Sequence, residues 1–242
     1  MANNVLIGSA RIDENGNARG GKAGDQTGKE VSTQNWYLHK KGWVVLRPKT
    51  ASMANLIADD MQAACKNNNI GYDQSQRLTS YNIAAKVGFN CSLITEKCET
   101  DCSELVRICC AYAGIRVSDF TTVNEAKVLM ATGHFIKLTD KKYCDSYEYL
   151  RRGDILVTKT QGHTVIVLTN GPKAESDGYE GMVYVTGQNV FIRKGPGKEY
   201  IAIGIAHADD CFMYADKTQS TWYRIFYGAN FGWISKKFSQ LR

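Results

Sequence analysis

The sequence predicts an α+β domain followed by a small all-β barrel. A helical pattern over 101–114 precedes two apolar strands, 153–158 and 163–168, which a four-residue turn joins as a hairpin. A polar segment with the Gly, Pro and Ser residues of a linker then interrupts this pattern. Short strands separated by turns follow it toward the end of the chain, as in small barrels. We therefore interpret the chain as two domains joined by a linker.

The first domain opens on a segment for which no regular structure is predicted. Residues 15–33 are rich in Gly, Asn, Ser and Thr and carry charges of both signs, which is typical of a loop. Aromatic and aliphatic residues over 36–46 indicate strand and core. Apolar residues at a helical period then predict a helix over 50–66, capped by one of the hydroxyl residues at its start, and a second helix over 78–87.

The clearest helix is predicted over 101–114. Asp101 as N-cap with Glu104 three residues later is the pattern of a capping box, and Gly114 is the expected stop. One side of this helix is apolar and is expected to be buried. Its members are Cys102, Leu105, Ile108, Cys109 and Tyr112. A short helix over 124–132 and then the hairpin complete the domain.

The domain boundaries follow from the change of pattern after the hairpin. They give a first domain at 1–171, a linker at 172–181 and a second domain at 182–242. Strands in the second domain recur roughly every eight to twelve residues with Gly in the turns, which indicates a small barrel. The predicted strands are 182–186, 189–193, 201–205, 211–215, 221–226 and 232–235.

Composition excludes several classes of protein. The chain has 242 residues, of which 43% are apolar and 22% charged, as in soluble globular proteins. Its longest apolar runs are far shorter than the roughly 20 residues that span a bilayer. No signal peptide is recognised at the N-terminus. We therefore expect synthesis in the cytoplasm and no membrane insertion.

Cysteine and histidine usage gives no indication of a bound metal. The eight cysteines are dispersed along the chain, which favours reduced thiols over a disulfide scaffold. Neither they nor the four histidines show the ligand spacing of a zinc site. No carboxylate cluster has the spacing of a calcium loop. No cofactor is expected.

The net charge of +6 is concentrated in the second domain. From residue 182 onward there are eight Lys and Arg residues and four Asp and Glu residues. A basic domain favours an anionic polymer, either a bacterial wall or a nucleic acid. No Arg/Lys stripe or nucleic-acid motif accompanies the charge. Bacterial peptidoglycan is therefore the expected partner, and nucleic acid is not.

Two side chains are candidates for chemistry. Cys102 lies in the first turn of its predicted helix, where free N–H groups favour a reactive thiolate and are available to bind an oxyanion. The alternative is a buried structural cysteine, which is the interpretation given to Cys109 and Cys110 in the middle of the helix. His163 starts an apolar strand, where its ring would project at the rim of a cleft. The alternative there is a histidine that forms only a structural hydrogen bond.

Three short motifs resemble the NlpC/P60 and CHAP families of papain-like peptidoglycan hydrolases, many of which are phage endolysins. They are Asp101-Cys102-Ser103, the segment 152–156 (RGDIL) and the segment 162–167 (GHTVIV). Their order and spacing are similar to the cysteine, pre-histidine strand and histidine motifs of those families. The resemblance covers about 101–170 and implies a papain-like catalytic domain.

The second domain resembles bacterial SH3 domains, known as SH3b. Residues 185–197 (VTGQNVFIRKGPG) are similar to the opening of such domains. Residues 222–225 (WYRI) and 232–234 (GWI) are similar to their ending. The resemblance implies an SH3-like barrel that holds the protein on the cell wall and raises its concentration near the substrate.

The resemblance to cysteine hydrolases also implies a mechanism. Cys102 attacks an amide carbonyl, and His163 takes the thiol proton and gives it to the leaving amine. A third polar residue on the next strand normally orients the imidazole, but Asn170 is about 23 Å from His163 along an extended chain, beyond hydrogen-bond reach. We expect this group to be Asp25 or Gln26, or else a backbone carbonyl. Gln26 is alternatively a donor to the oxyanion hole.

The predicted function is hydrolysis of an amide bond in bacterial peptidoglycan, as by a phage endolysin released through a holin pore. N-acetylmuramoyl-L-alanine amidase and peptide endopeptidase both stay open, because both reactions use the same nucleophile and base. Two alternatives belong to other classes. One is a non-catalytic wall-binding protein, and the other is a cysteine protease or acyltransferase that acts on a protein.

Overall fold

A computed structural model describes residues 4–22, 30–174, 182–228 and 230–241. Its helices are α1 Ala51–Ala64, α2 Leu78–Lys86, α3 Cys102–Tyr112, α4 Glu125–Ala131 and α5 Lys141–Cys144. The strands of the first half are β1 Leu6–Ala10, β2 Val31–Asn35, β3 Trp43–Pro48, β4 Ile70–Tyr72, β5 Cys98–Thr100, β6 Phe135–Leu138, β7 Ile155–Thr158 and β8 Thr164–Val167. Those of the second half are β9 Met182–Val185, β10 Val190–Arg193, β11 Ala202–Ala206, β12 Cys211–Gln219, β13 Trp222–Tyr227, β14 Asn230–Ser235 and β15 Ser239–Leu241. The predicted α+β class is confirmed.

The first half is built on a six-stranded antiparallel sheet with the order β2-β1-β8-β7-β3-β6. The predicted hairpin is β7 and β8, with Leu156 opposite Val165. On its other side β8 pairs with β1, where Ile7 lies opposite Val167. The N-terminal strand therefore lies beside the histidine-bearing strand, although more than 150 residues separate them in sequence. A short parallel pair, β4 and β5, leads into α3.

Side chains alternate across this sheet and build one core on each face. Ile155 and Ile166 belong to the core that α1, α3 and α4 cover. Leu156 and Val165 belong to the core on the opposite face, which α5 partly covers. Because Thr164 directly precedes Val165, its side chain faces α3 and α4. The start of β8 is thereby fixed against the N-terminal ends of these two helices.

Local sequence explains why α3 begins where it does. The Asp101 carboxylate accepts a hydrogen bond from the Glu104 backbone N–H at 2.7 Å and one from the Ser103 hydroxyl at 2.8 Å. The N-cap is confirmed, but the capping box is only half formed. The Glu104 carboxylate binds Arg77 at 2.8 Å and Arg107 at 2.9 Å. The predicted end is correct, since Gly114 follows the helix at a φ of 84°.

The second half forms a seven-stranded antiparallel sheet with the order β11-β10-β14-β13-β12-β9-β15. All six predicted strands are present, and β15 is an addition. The end strands β11 and β15 are not paired with each other, so the described strands form an open sheet and not a closed barrel. Its apolar interior includes Val183, Ile192, Ile225 and Ile234.

Lys49 connects the two halves. It follows β3 and is 7% exposed. Its ammonium group donates to the carbonyl of Gly133 at 2.6 Å and also to that of Gly228. Its own carbonyl accepts from the N–H of Met213 at 3.2 Å. Residues 175–181 of the predicted linker lie outside the described ranges. No helix in those ranges is long and apolar enough to cross a bilayer.

Candidate active site

Cys102 is the first residue of α3 and is 7% exposed. Its sulfur accepts hydrogen bonds from the backbone of Ser103, in the first turn at the N-terminal end of α3, and from the backbone of Thr164. Thr164 is the first residue of β8 and follows His163 in the chain. The sulfur of the predicted nucleophile therefore lies beside the residue that follows the predicted base.

The prediction that Cys102 is a thiolate is wrong for the free protein, because its surroundings favour the neutral thiol. Burial raises the pKa of this thiol strongly, and the negative charge of Asp101, together with that of Glu125 once it is ionised, raises it further. The two backbone hydrogen bonds lower it, but by less. The helix N-terminus is thus outweighed by desolvation and by two acids that the sequence pattern did not connect to the sulfur. Cys102 is a neutral thiol at rest.

His163 is held by its backbone at the turn before β8. Its N–H donates to the Thr158 hydroxyl at 3.0 Å, and its carbonyl accepts from the Thr158 N–H at 3.0 Å. The ring lines a cleft of about 460 Å³ together with side chains of the N-terminal strands and the segment after them. These are Arg11, Ile12, Gln34 and Tyr37. The imidazole thus borders a space that is open to a substrate.

The His163 ring is neutral across the physiological range. Burial lowers its pKa to about 4, and the positive charges of His39 and Arg11 act in the same direction. In the described part of the chain no hydrogen bond joins this ring to the Cys102 sulfur. A neutral imidazole is competent as a general base, and hydrogen bonds between such a base and a thiol often tighten only when substrate binds.

Two tyrosines near Cys102 are not predicted by the sequence. Burial raises the pKa of Tyr37, and the nearby Cys102 raises it further while Arg11 lowers it. Burial and Cys102 likewise raise the pKa of Tyr72, at the end of β4. Both phenols therefore stay protonated and are available as hydrogen-bond donors. Only their three-dimensional placement distinguishes them from the other tyrosines of the chain.

The third residue of the site stays a prediction. Asp25 and Gln26 lie outside the described residues. Asn170 is occupied elsewhere, because its side-chain oxygen accepts from the Arg152 N–H at 2.8 Å. The strand beside β8 comes from the N-terminal end of the chain, and Arg11, directly after this strand, lines the same cleft as His163. No pattern in the sequence after His163 points to this neighbour.

Several acidic side chains lie close together at the short β4–β5 pair. Glu99 is 1% exposed, and neither of its carboxylate oxygens has a hydrogen-bond partner. Burial raises its pKa to about 8, with further contributions from Glu30 and Asp73. Within the described ranges no group of three or more His, Cys, Asp or Glu side chains is arranged to hold a metal ion.

The remaining cysteines differ from Cys102 in position. All eight are free. Cys109 and Cys110 are completely buried in α3, and burial raises the pKa of both well above the usual range. Neither is at a helix end or beside a histidine strand. They are packing residues, as their position in the middle of the helix predicts.

Comparison with known protein families gives a match. The sequence model of the endolysin-like domain matches residues 7–174, which include both Cys102 and His163. The chain belongs to the endolysin-like domain family. This family suggests a phage-type lytic protein and a hydrolase that acts on peptidoglycan. A comparison with curated proteins finds no match.

Proposed function

We propose that this endolysin-like protein cleaves an amide bond of peptidoglycan with Cys102 as nucleophile and His163 as base. One observation carries the proposal. The Cys102 sulfur lies at the free end of α3 and accepts a hydrogen bond from the backbone of the residue after His163. This neighbourhood at the start of β8 supports a Cys/His site that would use papain-like chemistry of the NlpC/P60 or CHAP type.

The protonation states define the order of events. The neutral His163 ring takes the thiol proton as the Cys102 sulfur attacks the amide carbonyl, so charge appears only during the reaction. The backbone N–H of Ser103 stabilises the resulting oxyanion. The intermediate collapses to a thioester when His163 gives the proton to the leaving amine. Water, deprotonated by His163, then hydrolyses the thioester and restores the thiol.

The cleaved bond is that of an amidase or of a peptide endopeptidase. Both reactions need a cleft, a nucleophile and a base, and the cleft beside His163 serves either. The orienting group for the imidazole is assigned to the segment of Asp25 and Gln26, with Gln26 as a second candidate for the oxyanion hole. No cofactor enters any of these steps.

The second half is assigned to wall binding as an SH3b domain over 182–242, after a catalytic domain over 1–171. Its sheet exposes large apolar side chains next to basic residues, which suits a polymer of sugars and peptides. A groove of about 240 Å³ lies among them. The groove is lined in part by Phe191, Arg193, Lys198, Lys237 and Phe238.

The first prediction concerns the nucleophile. Substitution of Cys102 by Ala is expected to lower the rate at which the protein clears a suspension of Gram-positive cells by at least about a thousandfold, because the covalent step is lost. Cys110→Ala is the matched control, since this cysteine is on the same helix but packs in the core. Optical density measures the rate, and pelleting with purified walls measures binding.

The outcomes separate the alternatives. Equal clearing by the wild type and Cys102→Ala contradicts the mechanism. If neither protein clears the cells but both pellet with walls, the protein binds walls without cleaving them. Mass spectra of fragments from purified peptidoglycan identify the bond. New stem N-termini indicate an endopeptidase, free whole stems indicate an amidase, and unchanged fragments leave a protein substrate.

A further inference from the structure

A buried acidic side chain lies near the proposed nucleophile. Glu125 is the first residue of α4 and is 0% exposed. One carboxylate oxygen accepts a hydrogen bond from the Thr164 hydroxyl at 2.7 Å. The other is buried and has no partner. A buried carboxyl that satisfies only one oxygen destabilises the fold, and such a group calls for an explanation.

Thr164 joins this acid to the site. Its hydroxyl donates to Glu125, and its backbone hydrogen-bonds to the Cys102 sulfur. The same stretch of chain also holds the residue before His163, since the Gly162 N–H donates to the Thr122 hydroxyl at 3.1 Å. Side chains from 122–125 therefore bind the residues on both sides of His163.

We propose that Glu125 is a positioning residue, which acts through Thr164 to hold the Cys102 sulfur at the start of β8 and does so in its protonated, neutral form. This inference rests on the proposed roles of Cys102 and His163. Glu125 does not contact substrate in this arrangement. Its effect is on the position and the charge of the nucleophile.

The surroundings favour the neutral form. Burial raises the pKa of Glu125 to about 8, the Thr164 hydrogen bond lowers it and Asp101 raises it. The titratable groups that face it from α3 are Asp101, Cys102 and Cys110, all of them acids. β8 contributes the neutral Thr164 hydroxyl. Ionised Glu125 would repel the negative charge that develops on sulfur, whereas neutral Glu125 keeps the hydrogen bond without that repulsion.

The test is the rate at which iodoacetamide alkylates Cys102 from pH 6 to pH 10, measured by mass spectrometry of the Cys102 peptide. Glu125→Gln keeps an oxygen for the Thr164 hydroxyl and cannot ionise. It should match the wild type at pH 6 and react about tenfold faster at pH 9.5, the effect of one pKa unit on the thiolate fraction. Glu99→Gln is the matched control, because Glu99 is also a buried acid with unpaired oxygens. Its profile should follow the wild type.

A constant ratio between Glu125→Gln and the wild type at every pH overturns the inference, because a purely structural role would give that result. Thr164→Val is a second variant that removes the hydroxyl but keeps the backbone N–H. Its profile should bend at a higher pH than that of the wild type, and an unchanged profile also contradicts the inference. Alkylation does not depend on wall cleavage. Failure here is therefore distinct from failure of the proposed function, which clearing by Cys102→Ala would show.

Discussion

The two sheets of this protein bury different kinds of side chain. The first half encloses many ionisable groups, among them Arg47, Glu99, Glu104, Glu125 and Asp154, all at most 1% exposed. In the described part of the second half, Ser239 is the one buried polar residue. The second half instead exposes more of the large apolar residues, seven against four in the described part of the first half. The seven are Phe191, Tyr200, Ile201, Ile205, Phe231, Phe238 and Leu241.

This difference is consistent with the proposed location of the chemistry in the first half. A buried charged group is tolerated when it is paired or hydrogen-bonded, and most of those in the first half are. The Arg47 guanidinium binds both oxygens of Asp154 at 2.8 Å. Glu99 and Glu125 keep unpaired oxygens, and both lie next to elements that carry the candidate site. The first half therefore tolerates this cost near Cys102, while most of the exposed large apolar side chains belong to the second half.

The largest difference between the two halves is expected for a substitution at His163. Substitution of this residue by Ala is expected to lower wall cleavage by about a hundredfold or more, because the thiol of Cys102 has lost the base that takes its proton. Binding to walls should stay unchanged. Release of soluble wall fragments measures cleavage, and pelleting with walls measures binding. If cleavage and wall binding are lost together, the two activities do not belong to separate halves of the protein.

The same residue gives a pH test. Because the pKa of the His163 ring is lowered to about 4, the base is lost only as the pH falls through that value. Cleavage by the wild type should therefore persist down to about pH 4 while the protein stays folded. An acid limb near pH 6.5, the ordinary value of histidine, would show that the ring is not buried during catalysis.

A smaller effect is expected in the second half. Substitution of Phe191 and Phe238 by Ala removes two exposed apolar side chains that line the groove and leaves the buried core of the second half unchanged. Wall binding should weaken about tenfold, and clearing should slow at low protein concentration only. Leu38→Ala is the control, since Leu38 is an exposed apolar residue of the first half. If Leu38→Ala weakens wall binding equally, both sheets contribute to the binding.

Local signals in the sequence account for what could be predicted. Caps, helical periodicity and the hairpin give α1 to α4 and β7–β8 within a few residues, because each pattern is read over neighbouring positions. The pairing of β1 with β8 depends on residues far apart in sequence. The thiol state of Cys102 is missed for the same reason, since tertiary packing brings Glu125 beside it. Local motifs therefore indicate Cys102 as a candidate, and only the fold defines its electrostatics.

The last prediction concerns the unpaired acids of the first half. The pKa of Glu99 in the fold is raised to about 8, above its value in the unfolded chain, so the contribution of this group to stability is fully present below the unfolded pKa and is lost as pH rises through 8. Glu99→Gln should melt at nearly the same temperature as the wild type at pH 4 and a few degrees higher at pH 9, since about 1 kcal/mol corresponds to ~2–4 °C for a chain of this size. Glu96→Gln is the control, because Glu96 is exposed and pairs with Lys86. Thermal denaturation followed by circular dichroism gives the gap, and a gap that does not grow with pH would mean that Glu99 has a partner in solution.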